Sequence, residues 1–243
     1  MSNNAPVKDP QVINFRGRAS YPVLNLKQLE ADKKNQKKQG GANGDGQNSK
    51  YGITVILDKV KAAEQIKKAN ELITRIASEY PAWKGKVVTV KGRSGKLVDQ
   101  ANPKAERVVL LGIALHDGEE KADKDGYGDH VMYITSSRPE SKGPPRVLDK
   151  AFQDIRPEES HYPYAGCEVI VSMRFWVQDN DFGKRINAET RVVIFDKHGE
   201  PFGAGAVNPE SDFAGVNLDD DDETTPTAKS SKPSADLDDD DMG

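Results

Sequence analysis

Short stretches of alternating apolar and polar residues recur along the chain. One long amphipathic helical stretch interrupts them, and the last 35 residues hold two runs of four adjacent aspartates. These three observations predict a mainly β fold: an OB-fold-type antiparallel barrel of five to seven strands, with one inserted α-helix and a disordered acidic C-terminal tail. Residues 1–208 are expected to form one domain, and residues 209–243 the tail.

The first strand is expected over residues 11–24. Ile13, Phe15, Ala19 and Tyr21 share one face, and Asn14, Arg16 and Arg18 share the other. The passage from Ala31 to Lys50 is rich in Lys, Gly, Asn and Gln and shows no periodicity. It reads as a mobile basic loop carrying Lys33, Lys34, Lys37 and Lys38. In an OB barrel the loop between the first two strands is one of the oligonucleotide-binding loops. The second strand, Tyr51 to Leu57, alternates Tyr51, Ile53, Val55 and Leu57 toward the core.

Asp58 then reads as the N-cap of a helix over about Lys59 to Tyr80. Its apolar residues Ala62, Ile66, Ala69, Leu72 or Ile73, and Ile76 recur every three or four positions, and Pro81 ends it. Trp83 is expected to fold back on the helix or the sheet. Lys86 to Val90 reads as a short strand. Residues 91–128 carry turn signals, and Val108 to Leu115 fits either a strand or a helix. His130 to Ser136 is a further strand. The two strongest strands are Glu168 to Val177 and Arg185 to Phe195, joined by a hairpin loop over Gln178 to Lys184.

Charge is segregated. From Pro209 onward twelve Asp/Glu stand against two Lys, a balance of −10, so residues 1–208 carry +6 of the chain's net −4. Adjacent carboxylates repel one another and have no apolar neighbours to bury, so the tail is expected to stay solvated. A basic body joined to an acidic leash suits a protein that handles polyanions. The single cysteine, Cys167, excludes an intramolecular disulfide and fits a reducing compartment. The N-terminus is polar, and no 18-residue apolar run occurs. A soluble intracellular protein is the expectation.

Candidate binding residues lie on the strands. In Glu168 to Val177, the residues Val169, Val171, Met173, Phe175 and Val177 face the core. Ile170, Ser172, Arg174 and Trp176 face outward. An indole beside a guanidinium can stack a base while holding a phosphate. Arg16 and Arg18 share the polar face of the first strand. Tyr133, with Thr135 and Ser137, shares the more polar face of its own, and Arg138 follows. Lys184 and Arg185 sit at the hairpin. Taken singly, each is equally an ordinary solvated side chain; as a set they describe a basic, aromatic-lined groove. Tyr162-Pro163-Tyr164 fits either the groove edge or a brace for its own loop, and Tyr51 belongs in the core.

Catalytic signals fail on inspection. Gly92-Arg93-Ser94-Gly95-Lys96 lacks the glycine spacing of a phosphate loop, and Leu97 stands where Ser or Thr is needed. Asp123-Lys124-Asp125-Gly126 has Lys121 and Met132 at the positions of the first and last calcium ligands. The four His and the lone Cys167 lack metal-ligand spacing, and Cys167 suits a buried small side chain. No enzyme activity, metal or cofactor is expected.

Two pieces of sequence carry a resemblance. One is Tyr51-Gly52-Ile53-Thr54-Val55-Ile56-Leu57-Asp58-Lys59 leading into a helix. The other is Tyr164-Ala165-Gly166-Cys167 followed by a strand with Arg174-Phe175-Trp176, Asp179-Asn180, Gly183 and Lys184. With the acidic tail, they resemble phage-encoded single-stranded DNA-binding proteins of the OB-fold type, over most of residues 10–205. The resemblance implies sequence-independent coating of single strands during phage replication and recombination, in the cytoplasm of the infected bacterial host. It implies a tail that contacts replication or recombination proteins, through Asp238, Asp239, Asp240 and Asp241, and competes with DNA for the groove. Tails of that family often end in an aromatic residue, whereas this chain closes on Met242-Gly243. RNA as a ligand and the oligomeric state are left open. The alternative is an acidic-tailed interaction or assembly protein whose body is a scaffold.

Overall fold

The computed structural model describes residues 11–38 and 50–203. Five long strands build the barrel where the alternation is strongest: β1 (Val12–Val23), β2 (Lys50–Asp58), β7 (Val131–Pro139), β9 (Glu168–Asn180) and β10 (Gly183–Lys197). They lie in the order β10-β9-β1-β2-β7, and every neighbouring pair is antiparallel. The inward residues fill one core, with Phe15, Val55, Ile134, Val171, Phe175 and Ile186 fully enclosed. Tyr51 is in that core as expected, 3% exposed. This is the mainly β, OB-type architecture that the alternation predicts.

The two outer strands, β7 and β10, are joined by a short segment from the undecided passage. Val108 to Leu115 is extended. It holds β4 (Arg107–Leu110) and β5 (Gly112–Ile113) and runs into β6 (Leu115–Asp117). β5 pairs parallel with β10, and β6 pairs antiparallel with β7. Ala114, between them, donates its N–H to Ile186 O at 2.8 Å and accepts from Thr135 N at 3.0 Å. Side chains complete the seam: the hydroxyls of Ser136 and Thr190, both buried, lie 2.7 Å apart. β3 (Val87–Val90) pairs parallel with β4 in a small second sheet, and β8 (Arg146–Leu148) pairs parallel with β10.

The structure corrects the basic loop. The helix α1 spans Leu26–Lys38, so Lys33 and Lys34 stand on a helix. Its start is a reciprocal cap: Asn25 Oδ1 accepts from Gln28 N at 2.9 Å, and Gln28 Oε1 accepts from Leu24 N at 2.7 Å. Leu29, fully buried, pins it to the body. A helix with one apolar anchor has little amphipathic signal, which is why composition pointed to a loop. Residues 39–49 lie outside the described residues.

The second helix, α2 (Ala63–Glu79), begins one turn later than expected. Asp58 caps the preceding turn instead, accepting from Val60 N and Lys61 N at 2.9 and 2.8 Å. These two bonds hold its carboxyl below the usual carboxylate range. Ala69, Leu72, Ile73, Ile76 and Ala77 form the buried stripe. Tyr80 is extended, as the residue before Pro81 must be, and the helix stops there. Trp83 does fold back: it is 1% exposed and donates Nε1–H to Asp179 Oδ2 at 2.8 Å.

Two further corrections concern strand ends. Tyr21, expected inward, is 55% exposed because β1 breaks register between Ser20 and Val23 and Tyr21 takes a positive φ of 47°. The hairpin loop is shorter than expected: Asn180 pairs with Gly183, leaving Asp181 and Phe182 at the turn. Asn180 Oδ1 accepts from Phe182 N at 3.1 Å, and Gly183 supplies the positive φ of 106°.

The closing seam makes a testable claim. Ser136→Ala leaves the buried Thr190 hydroxyl without the partner it has here, at an expected cost of about 1–3 kcal/mol. Adding Thr190→Val to that variant removes the stranded group and should recover most of the loss. Urea unfolding of the two single variants and the double variant measures it. Strict additivity would show that the two hydroxyls are not coupled.

Candidate nucleic-acid interface

Cross-strand register assembles one outward face. Glu168, Arg18, Ile56 and Tyr133 stand in a single row across β9, β1, β2 and β7. Strands lie about 4.8 Å apart, so Arg18 and Tyr133 are about 10 Å from each other. Ser20, Thr54 and Thr135 form the next row, with the Thr54 and Thr135 hydroxyls 3.3 Å apart. In OB barrels the outer surface of these second and third long strands is the oligonucleotide face, flanked by the loops before the second and last strands. Here those flanks are the α1 passage and the β9–β10 hairpin.

An aromatic and cationic cluster covers the row. The His116 and Tyr133 rings stack at 4.8 Å and 8°, and Tyr127 meets Tyr133 edge-on at 5.2 Å. The ammonium of Lys121 sits 4.7 Å from the Tyr133 centroid, 5.3 Å from Tyr21 and 5.4 Å from Tyr127. Burial draws its pKa below the ordinary lysine value. Glu120 anchors the group from one side, accepting from Tyr133 Oη at 3.1 Å and lying 3.0 Å from His116 Nδ1. Burial pushes the Tyr133 phenol well up, and the Glu120 charge adds to it, so the phenol keeps its proton as the donor. Burial outweighs Glu120 for His116 and draws its pKa down. The neutral imidazole then donates Nδ1–H to the carboxylate.

Beside the cluster lies a groove of about 370 Å³, edged by Arg16, Arg18, Lys61 and His130, with Ile56 and Gly126 in its lining. Arg16 is held by Asp196, Nε to Oδ2 at 3.2 Å, and the same carboxylate takes Lys150 at 2.7 Å. The Arg16 side chain is nonetheless 57% exposed. Arg18 is a tether: its Nε donates to Gly166 O at 3.2 Å and its Nη2 to Glu200 O at 2.7 Å. Its guanidinium lies 4.2 Å from the Phe202 ring centroid.

The Tyr164-Ala165-Gly166-Cys167 motif explains that tether. The Tyr164 hydroxyl donates to Gly199 O at 2.9 Å and accepts from Gly199 N at 3.1 Å. Ala165 O accepts from Phe202 N at 3.0 Å. Gly166, at φ 105°, has no room for a side chain, since a Cβ would lie 2.0 Å from Glu200 O. Cys167 is fully buried, and that burial pushes its thiol up to about 11. The motif therefore straps residues 198–203 to the barrel, with Tyr164 holding Gly199 while Tyr162 is buried in the core.

The other expected residues are spread over the surface. Trp176, 42% exposed, and Arg174 project outward from β9, six and four residues beyond Ile170, the partner of Arg16. Lys184 is paired with Asp179 at 2.7 Å, and Arg185 is half-buried beside Gly112. Lys33 reaches Glu140 at 2.8 Å, and Lys34 is exposed. Arg138 is spent on Glu189, at 3.2 Å, and on the carbonyls of Lys142 and Gly143. Tyr133 is on the expected face but 4% exposed, because the cluster overlies it. The side chains of Lys37 and Lys38, and Asp238 to Asp241, lie outside the described residues. Sequence reasoning missed His116, Lys121, Tyr127 and Phe202. The one signal available was that Tyr127 and Phe202 each adjoin glycine in otherwise polar passages. Among the described residues no cluster of His, Cys, Asp and Glu is placed to hold a metal. No helix there is long and apolar enough to cross a membrane.

Solved structures with this fold include those of the single-stranded DNA-binding protein from bacteriophage Enc34. Its complex with ssDNA is 24% identical over 79% of this chain and 90% of that one, with a TM-score of 0.56. A second structure of that protein is 21% identical over 84% and 90%, at 0.53, and its C-terminal truncation is 22% identical over 79% and 89%, at 0.54. At these identities the likeness speaks for the fold. No curated protein matches the sequence. The family model described as "Enterobacter phage Enc34, ssDNA-binding protein" matches residues 38–225, most of the chain. That is a family named for binding and not for a reaction. The chain belongs to the Enterobacter phage Enc34 single-stranded DNA-binding protein family.

Proposed function

We propose that this protein binds single-stranded DNA without sequence preference and protects it during phage replication and recombination, in the cytoplasm of the infected bacterial host. The observation that carries the reading is the row Arg18–Ile56–Tyr133 with Lys121 over the rings, on the surface that OB barrels use for oligonucleotides. Membership in the Enc34 family supports it. Aromatic faces stack any base, and cations along the groove follow phosphates, so such a surface has no means of reading sequence. Arg16 and Arg18 on the groove, Arg174 and Trp176 on β9, and Lys184 and Arg185 at the hairpin are assigned to this interface. Lys33, Lys34, Lys37, Lys38 and Arg138 are assigned to its far flank, beyond β2.

Residues 1–208 are the binding domain in this reading and residues 209–243 the acidic tail. The tail, at −10 against a body of +6, competes with phosphate for the groove and is freed for replication or recombination proteins when DNA binds.

Titration with oligo(dT) tests the core of the proposal. Submicromolar binding is expected, weakening with salt by about 0.7 log units per tenfold salt for each phosphate neutralised. Absence of binding to any nucleic acid at low salt would overturn it in favour of a scaffold whose tail is the working part. In the same titration, Trp176→Ala should weaken binding by roughly 1–3 kcal/mol, the worth of one stacked base. Unchanged affinity would return Trp176 to a structural role.

Deleting residues 209–243 should tighten oligo(dT) binding, most at low salt, where a charged competitor is least screened. Equal affinity with and without the tail at low salt would rule out competition.

A further inference from the structure

Phe202 packs against Arg18, Ile56 and Gly126, three residues in the lining of the groove of about 370 Å³. It also lines a cavity of about 190 Å³ with Ser20, Tyr21, Lys124 and Asp125. Arg18 and Ser20 are alternate residues of one strand face, so the two spaces are neighbouring stretches of the same surface. The ring packs against the cluster of Ile56, Tyr127, Val131 and Tyr133, and it lies beneath the Arg18 guanidinium at 4.2 Å. Gly126 makes the space, since a Cβ there would come within 2.5 Å of the ring.

A flat ring held between a guanidinium and an aromatic and aliphatic floor, with cations on either side, is the environment that stacks a nucleobase. We propose that Phe202 is a stand-in for a base. In this inference, which rests on the single-strand-binding reading, the space it fills is a base-binding socket, and a base of the incoming strand displaces it.

The Tyr164–Gly199 pair of hydrogen bonds fixes the start of the strap, and fewer bonds hold the end that carries the ring. Phe202 N donates to Ala165 O at 3.0 Å, Gly203 N donates to Asp125 Oδ2 at 3.0 Å, and Arg18 holds Glu200 O. Phe202 itself is half-buried. A stacked base would recover the guanidinium and ring contacts that Phe202 gives up, and its phosphates would meet Arg16 and Lys61.

Hydrogen exchange on the full chain, with and without oligo(dT), tests this. Bound oligonucleotide should speed exchange of the Phe202 and Gly203 amides while it slows exchange on the strands beneath. Phe202→Ala in the full chain should bind oligo(dT) about two- to fivefold tighter, the worth of one exposed cation–π contact removed from the closed form. The gain should persist at high salt, because stacking is not screened. Oligonucleotide that binds while those two amides stay unchanged or become protected would overturn the socket and leave the binding reading standing. So would an affinity of the variant that is equal or weaker, or a gain that disappears at high salt. Absence of oligonucleotide binding by the unmodified chain would instead overturn the reading beneath it. Should the variant fail to fold, exchange in the unmodified chain decides alone.

Discussion

One alanine joins the two outer strands of the sheet. Ala114 hands its N–H to β10 and takes an N–H from β7. Without that exchange both strands would present unpaired backbone groups along an open edge, a costly and aggregation-prone arrangement. The residues on either side do the same work in opposite senses, Gly112–Ile113 parallel to β10 and Leu115–Asp117 antiparallel to β7. The small side chain of Ala114 suits this place, where two strands approach from both sides. The direct antiparallel ladder sets the register of β7 against β2, and that register decides which residues share a row on the outer face.

The basic character of the body is largely consumed by structure. Arg138, Lys33 and Lys184 each meet a carboxylate, and Arg18 is spent on two backbone carbonyls. Surface ion pairs of this sort contribute little stability each, at most about 1 kcal/mol. Their effect is more positional: Lys184 and the buried Trp83 hold Asp179 from both sides and keep its carboxyl below the ordinary range, which stiffens the root of the β9–β10 hairpin. Among the described residues of the proposed interface the exposed cations are therefore few, at the groove and at the outer end of β9, and the surface is not evenly positive.

The strap over residues 198–203 ties the two most specific sequence features together. In the Tyr164–Cys167 motif the hydroxyl, a carbonyl and the glycine all seat the strap. The strap in turn lays Phe202 on the row that the cross-strand register creates. A motif in one loop, a lone ring far along the chain and an arginine on the first strand thus act on one spot, although Arg18 and Phe202 are 184 positions apart.

Sequence by itself determined the five long strands, the core and the chemical classes of residue at the surface. Alternation settles which side of a strand meets the core, because a strand's period is two, and Phe15, Val55, Val171 and Phe175 could hardly have pointed elsewhere. It also found Arg18, Tyr133, Arg174 and Trp176 on outward faces. It did not find α1, whose single anchor Leu29 leaves almost no periodic signal. It placed Tyr21 inward because a bulge is a backbone event that alternation does not register. Tertiary structure alone decided which outward residues meet. Arg18, Tyr133, Lys121 and Phe202 lie in four separate stretches of sequence, and only cross-strand register and barrel closure make them neighbours. Spatial adjacency between distant segments is set by hydrogen-bonded pairing, and pairing is a property of the folded sheet, not of any one strand.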